Sequence, residues 1–211
     1  MINSTAIILA GGKSLRMGTN KLLLKINRET IIERVTNICR SNFAETIIIT
    51  NNPQEYEFLN IKMFADVYKN FGPLSGIHSG LINTKTKSNF FISADMPFIT
   101  GEVIKHLFKV KSEKEIVLPS SENKVQPLCG IYSKSCIPIA EKLLRKAMSG
   151  GETDIKAKTK IKLFDLINAA DTDIIKVDEE PFYHKELFLN MNNFDDYTYA
   201  KENFDKIMKG K

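Results

Sequence analysis

The sequence lacks the features that would mark a secreted, membrane-spanning or metal-clustered protein. No apolar run approaches the roughly 20 residues needed to cross a bilayer. The opening MINSTAIILAGG has neither the charged start nor the cleavage pattern of a signal peptide. A cytoplasmic protein with no membrane contact is expected. Cys39, Cys129 and Cys136 are odd in number, scattered and without C-x-x-C spacing, which argues against a disulfide framework or a structural zinc site and for ordinary core or surface thiols. His78, His106 and His184 are isolated, and no pair has the four-residue spacing that sets two imidazoles on one helix face, so no catalytic role is assigned to them. Internal repeats are also missing. A chain of 211 residues, 43% of them hydrophobic, is long enough to bury a sizeable core, and one domain spanning residues 1–211 is expected.

Lysines and arginines exceed acids by five, which suits an anionic ligand. The lysines are interleaved with acids along the chain and form no basic, aromatic-lined stripe. That distribution favours a small phosphorylated substrate over nucleic acid.

Apolar, β-branched-rich runs recur at AIILA (6–10), TIIIT (46–50), IKMFA (61–65), NFFIS (89–93) and EIVLP (115–119). Most are continuous rather than alternating, the pattern of strands buried on both faces. Helical segments are predicted over Thr30–Arg40, Leu74–Asn83 and Gly101–Lys109, the last with Thr100 as N-cap and an apolar stripe of Val103, Ile104, Leu107 and Phe108. Alternation of strand and helix implies right-handed crossovers, a mostly parallel sheet with helices on both faces, and ligands at the carboxyl ends of the strands. The loops that matter begin after Ala10, Thr50, Ala65 and Ser93. Further on, KVQPLCGIY (124–132) reads as a strand leading to a helix over 135–148. Residues 150–185 read as a loop-rich flank, and a closing helix is expected to begin near Asn193.

The first of those loops holds the clearest chemistry. Gly11 and Gly12 let the backbone approach a ligand closely, so that successive amides can cradle phosphate oxygens. Arg16 can fork onto phosphate oxygens, and Lys21 supplies a point charge where negative charge accumulates as an α-phosphate is attacked and diphosphate leaves. The string is not a Walker loop: Gly12, Lys13 and Ser14 match its end, but its first glycine would fall on Ile7. Nor is it a dinucleotide fingerprint, since the glycines are Gly11, Gly12 and Gly18. Asp95, just after a predicted strand and followed by Met96–Pro97, offers a carboxylate able to bind a hard cation such as magnesium; taken alone it reads as a turn or helix cap.

LAGGKSLRMGTNK (9–21) resembles the L-A-G-G-x-x-x-R-M-G-x-x-K signature of nucleotidyltransferases with a three-layer, Rossmann-like fold. FGPLSGIHSGL (71–81), ISADMPFIT (92–100), VQPLCGIY (125–132) and FLNMNNFDDY (188–197) resemble later motifs of the molybdenum cofactor guanylyltransferases, in order along the chain. The resemblance implies transfer of GMP from GTP to molybdenum-molybdopterin, with magnesium, and transient contact with molybdoenzyme maturation proteins. A part up to about residue 110 would bind GTP and the remainder would face the pterin. It implies catalytic roles for Arg16, Lys21 and Asp95, with Asp95 on the metal. It implies ligand contacts at Leu9, Ala10, Gly11, Gly12 and Lys21, at Asp66 in the guanine-nucleotide pocket, and at Asn190 and Asn192 on the pterin side. Asn190 also reads as part of the last helix cap, for which Asn192 and Asn193 are candidates. Two places depart from the family pattern: Asn20 stands where aspartate is common, and Asn193–Phe194 where threonine-proline is. Relatives that use CTP on the same pterin, enzymes that activate sugar or polyol phosphates, and a non-catalytic cofactor carrier are the rival readings.

Overall fold

Strand β1 (Ile2–Leu9) is buried from Ser4 onward, and its side chains alternate between two hydrophobic layers. Ala6 and Ile8 face one layer, Ile7 and Leu9 the other. The computed structural model describes residues 1–11, 20–110, 112–149 and 162–209. Around β1 lie β4 (Phe43–Ile49), β5 (Lys62–Phe64), β6 (Ser88–Ser93), β7 (Ile116–Ser121), β8 (Lys124–Val125), β9 (Cys129–Ser133) and β10 (Thr172–Lys176). They form one eight-stranded sheet in the order β5-β4-β1-β6-β9-β7-β10, with β8 paired to β7. The pairs of β1 with β4 and β6, β4 with β5, and β10 with β7 are parallel, whereas β9 runs antiparallel to both neighbours.

Helices cover both faces. On one side α1 (Ile31–Asn42) and α3 (Gly101–Lys109) bury Ile32, Val35, Val103, Ile104 and Leu107 against Ile8, Ile48, Phe90 and Ile92. On the other, α2 (Pro73–Ile82), α4 (Cys136–Met148) and α5 (Leu163–Ala169) bury Leu74, Ile77, Ala140, Leu144 and Leu166 against Ile7, Ile47 and Phe91. The three-layer α/β architecture expected from the strand pattern is therefore the one observed. Gly80 sets how close α2 lies: a Cβ there would stand 2.6 Å from a Phe91 ring carbon and 2.8 Å from an Ile7 methyl. A third, smaller core joins the hairpin of β2 (Lys25–Ile26) and β3 (Glu29–Thr30) to α6 (Phe194–Lys209), through Ile26, Ile31, Phe98, Met191, Ala200 and Phe204.

Several local expectations need correction. KVQPLCGIY is two strands, because Pro127 has no N–H to give a ladder; Gln126 N–H turns back to Pro119 O at 2.9 Å and Cys129 N–H to Gln126 O at 3.1 Å. The stretch read as loop-rich contains α5 and the edge strand β10, while 150–161 lies outside the described residues. Thr100 occupies the position before α3, yet its side chain makes no cap bond and its hydroxyl is buried without a partner. Thr30, by contrast, closes a reciprocal box with Glu33: Glu33 N–H donates to Thr30 Oγ1 at 3.3 Å and Thr30 N–H to Glu33 Oε2 at 2.7 Å.

Candidate active site

Parallel register puts Leu9 at the end of β1 beside Ser93 at the end of β6. From these strands the chain proceeds toward opposite edges of the sheet, since β4 and β5 extend one way from β1 and β9, β7 and β10 the other way from β6. A crevice at the carboxyl ends of strands is the expected ligand position at such a switch point. The sheet consumes two nearby main-chain groups: Ala94 N–H donates to Leu9 O and Ala10 N–H to Ile49 O, each at 3.0 Å. Leu9 and Ala10 are buried, whereas Gly11 is exposed with open space where a Cβ would be. Gly12 and Arg16 lie outside the described residues, as do Lys13 and Gly18.

Lys21 begins a 3-10 turn over Lys21–Leu23 whose middle residue, Leu22, is anchored in the core. Its Nζ lies 2.6 Å from Asp95 Oδ2 and also donates to Met191 O; the Lys21 and Asp95 side chains are only 20% and 14% exposed. Ser93 Oγ donates to the other carboxylate oxygen of Asp95 at 2.6 Å, and Met191 N–H donates to Asp95 O at 3.0 Å. Three motifs separated by up to 170 positions thus meet at one point: the turn after the first loop, the loop after β6 and the NMN segment. Packing explains the meeting, because Met191 is buried with Phe98, Ile26 and Phe204 in the small third core. Met191 was absent from the sequence expectation, and its contribution is a carbonyl and an amide that no side-chain motif can signal.

Asp66 lies in the loop after β5. Asn51 braces it in both directions, donating from Nδ2 to Oδ2 at 2.8 Å and accepting Asp66 N–H on Oδ1 at 3.2 Å. Asp66 Oδ1 is buried without a hydrogen-bond partner, and a Cβ on Gly76 would come 3.9 Å from it and 3.0 Å from a Leu9 methyl. Burial holds this carboxyl above the usual aspartate range, partly offset by the hydrogen bond from Asn51 and by the nearby Ser75 hydroxyl, which itself donates to Tyr68 O. Gly72 turns the chain into α2 with φ of 61° and ψ of −151°, a backbone that excludes side chains, and Pro73 follows at the first helical position.

Asn190 and Asn192 sit on either side of Met191, Asn190 half-buried and Asn192 exposed. Asn190 Nδ2 donates to Phe188 O at 3.1 Å and Asn192 Nδ2 to Asn190 O at 3.2 Å. The cap of α6 is Asn193: its Oδ1 accepts Asp196 N–H at 2.9 Å, and Asp196 Oδ2 accepts the amides of Asn192 and Asn193 at 2.7 and 3.1 Å. Neither Asn190 nor the Asn192 side chain does the capping. Cys39, Cys129 and Cys136 are free and buried; burial pushes the Cys39 and Cys136 thiols up to about 12 and raises that of Cys129 as well, so none is a thiolate nucleophile.

This chain is a nucleotidyltransferase by family and fold. The chain belongs to the MobA-like NTP transferase domain family, whose model matches residues 6–160. A Clostridium perfringens protein named a probable molybdenum cofactor guanylyltransferase is 39% identical over 205 residues, covering 93% of this chain and 96% of that protein. A protein of the same name from Carboxydothermus hydrogenoformans is 32% identical over 201 residues, covering 93% and 94%. The crystal structure of molybdopterin-guanine dinucleotide biosynthesis protein A from Archaeoglobus fulgidus has the same fold, with a TM-score of 0.76 at 24% identity over 96% of this chain and 99% of that one.

Proposed function

We propose that this chain transfers GMP from GTP to molybdenum-molybdopterin, giving the guanine dinucleotide cofactor and diphosphate. The observation that carries the reading is the convergence of Lys21, Asp95 and the 190–192 segment at the ends of β1 and β6, beside a loop in which Asp66 holds an unpartnered acceptor. The names of the full-length relatives point the same way. A phosphate monoester is already nucleophilic near neutral pH, so the reaction needs alignment and charge neutralisation rather than a base or a covalent intermediate.

In that scheme the β1 end and Gly11 receive the triphosphate, together with Gly12 and Arg16. Lys21 turns its ammonium from Asp95 toward the phosphate oxygens, and Asp66 accepts a donor from the nucleoside. Guanine supplies two adjacent donors, N1–H and the 2-amino group, whereas the matching edge of adenine presents an acceptor. Asn190 and Asn192 present amides to the pterin substrate, so the part up to about residue 110 serves the nucleotide and the remainder the pterin.

Magnesium fits the donor set. Each Asp95 oxygen accepts one hydrogen bond and keeps lone-pair capacity, and a cation, the Lys21 ammonium, already rests against it. Among the described residues no three His, Cys, Asp or Glu side chains converge, so an ion on Asp95 would complete its shell with water and phosphate oxygens, as magnesium does. Bound there, it would supply neutralisation of phosphate charge. Among the described residues no helix is long and apolar enough to cross a membrane. A cytoplasmic setting and transient contact with molybdoenzyme maturation proteins complete the proposal.

The direct test compares thermal protection of the purified chain by GTP, CTP and ATP with magnesium, because a ligand that binds only the folded state raises the midpoint according to its affinity. GTP is expected to protect best. Protection by CTP with none from GTP would reassign the substrate.

Asp66 gives a second test. Its carboxyl is raised in the folded chain, so the stability it contributes is full below the ordinary carboxylate range and lost as pH rises through the folded value. Asp66→Asn is expected to remove that decline, giving a midpoint that falls less as pH rises above the ordinary aspartate value of about 4, while weakening protection by GTP more than by ATP. Unchanged GTP protection would take Asp66 out of the nucleoside site.

A further inference from the structure

Asn20 stands one residue ahead of Lys21 and uses both ends of its amide. Oδ1 accepts Leu22 N–H at 3.0 Å and so caps the 3-10 turn that carries Lys21. Nδ2 donates to Tyr56 Oη at 2.8 Å and to Glu55 Oε2. These partners come from the loop after β4, 35 and 36 positions along the chain. Tyr56 is 3% exposed, so its hydroxyl is a fixed point, and burial raises its pKa. Only one amide orientation satisfies all three contacts; turned over, the carbonyl oxygen would face the Glu55 carboxylate. The same loop reaches Asp66 through Asn51. Residues 51–56 therefore tie the Lys21 turn to the nucleoside side of the cleft.

We infer that Glu55, acting through Asn20, is a positioning residue for Lys21. The Glu55–Asn20 hydrogen bond has a charged acceptor and, beside the bond to Tyr56 Oη, ties the loop after β4 to the turn whose first residue carries the ammonium. The inference rests on the reading of Lys21 as the phosphate-binding lysine. It also accounts for asparagine at a place where the family commonly has aspartate: a carboxylate would still cap the turn but would oppose Glu55.

Asn20→Asp separates the two roles, because aspartate caps as well as asparagine does while losing both donations. Loss of a hydrogen bond to a charged group predicts a kcat for diphosphate release lower by about tenfold, with little change in the KM for GTP. The deficit should deepen as pH rises, because of two adjacent carboxylates one keeps its proton at lower pH. Adding Glu55→Gln restores a donor opposite the new carboxylate and should bring kcat back to within about threefold of wild type, which a purely structural lesion would not allow. Glu55→Gln alone keeps a neutral acceptor and should cost less than Asn20→Asp. If Asn20→Asp does not fold, Glu55→Ala takes its place and should show the same kcat loss without a matching rise in KM.

A wild-type kcat in Asn20→Asp, or in Glu55→Ala where that variant is used, would overturn the inference. So would a deficit that is independent of pH and unrelieved by Glu55→Gln. Lys21→Ala, assayed alongside, distinguishes the two levels. Turnover surviving in that variant would defeat the phosphate reading itself. Turnover lost there but normal in Asn20→Asp would defeat only the role of Glu55.

Discussion

Lys21→Ala is expected to lower the rate of diphosphate release from GTP and molybdopterin by about 10²- to 10³-fold, the usual cost of removing one preorganised donor from a developing oxyanion. The ammonium lies 2.6 Å from Asp95 Oδ2 with 20% of the side chain exposed, so water screens it poorly and its charge acts at close range. It is also aimed, because Met191 O accepts from the same nitrogen and Leu22 roots the turn in the core. Without ligand, the ammonium donates to a carboxylate and a carbonyl; an arriving triphosphate offers it more negative charge. Lys21→Arg keeps the charge but presents a wide planar fork where the gap between Asp95 and Met191 holds a point charge, so an intermediate rate is expected. Lys21→Ala leaves Asp95 with the Ser93 donation and should also cost about 1–3 kcal/mol of stability. Thermal midpoints measured beside the rates separate the two effects. Turnover within a few-fold of wild type in folded Lys21→Ala would remove this residue from the phosphate chemistry.

The parts of this site that were legible in the sequence are those in which a residue type is forced by its backbone or by its charge. Continuous apolar runs located β1, β4, β6 and β7, whose central residues are buried on both faces, and the run at 61–65 located β5 although that edge strand is exposed at Lys62 and only half-buried at Met63 and Phe64. The helix over Gly101–Lys109 was read to its ends because its apolar stripe falls at helical spacing and buries Val103, Ile104 and Leu107. The edge strand β10 was missed for the complementary reason: Thr172, Asp173 and Lys176 surround Ile174 and Ile175, and a strand with one side in solvent has no continuous apolar signature. Lys21 stands out by its charge after a glycine turn, and Asp95, which alone reads as a cap, by its place in a motif that resembles the family's. Met191 could not be found, since its contribution is main-chain, and the bond from Asn20 to Glu55 could not, since it joins two ordinary polar residues across a fold that has first to bring the loops together.

Asp95→Asn should be at least as damaging as Lys21→Ala, and for a separable reason. The substitution is nearly isosteric and can keep the Ser93 donation, but it removes the negative charge that faces Lys21 and would hold magnesium. A loss of about 10²- to 10³-fold or more in diphosphate release is expected. If Asp95 served only to orient Lys21, the double variant would be no slower than either single one, because both changes would break the same contact. If Asp95 also holds the metal, the double variant falls further, and the magnesium concentration giving half-maximal rate rises in Asp95→Asn but not in Lys21→Ala. That split is the expected result, since each Asp95 oxygen has capacity beyond the bond it makes, whereas the Lys21 ammonium has no acceptor to offer a cation. A magnesium response in Asp95→Asn that matches wild type, with the double variant equal to the singles, would reduce Asp95 to an anchor for Lys21 and leave the metal to be held elsewhere in the cleft.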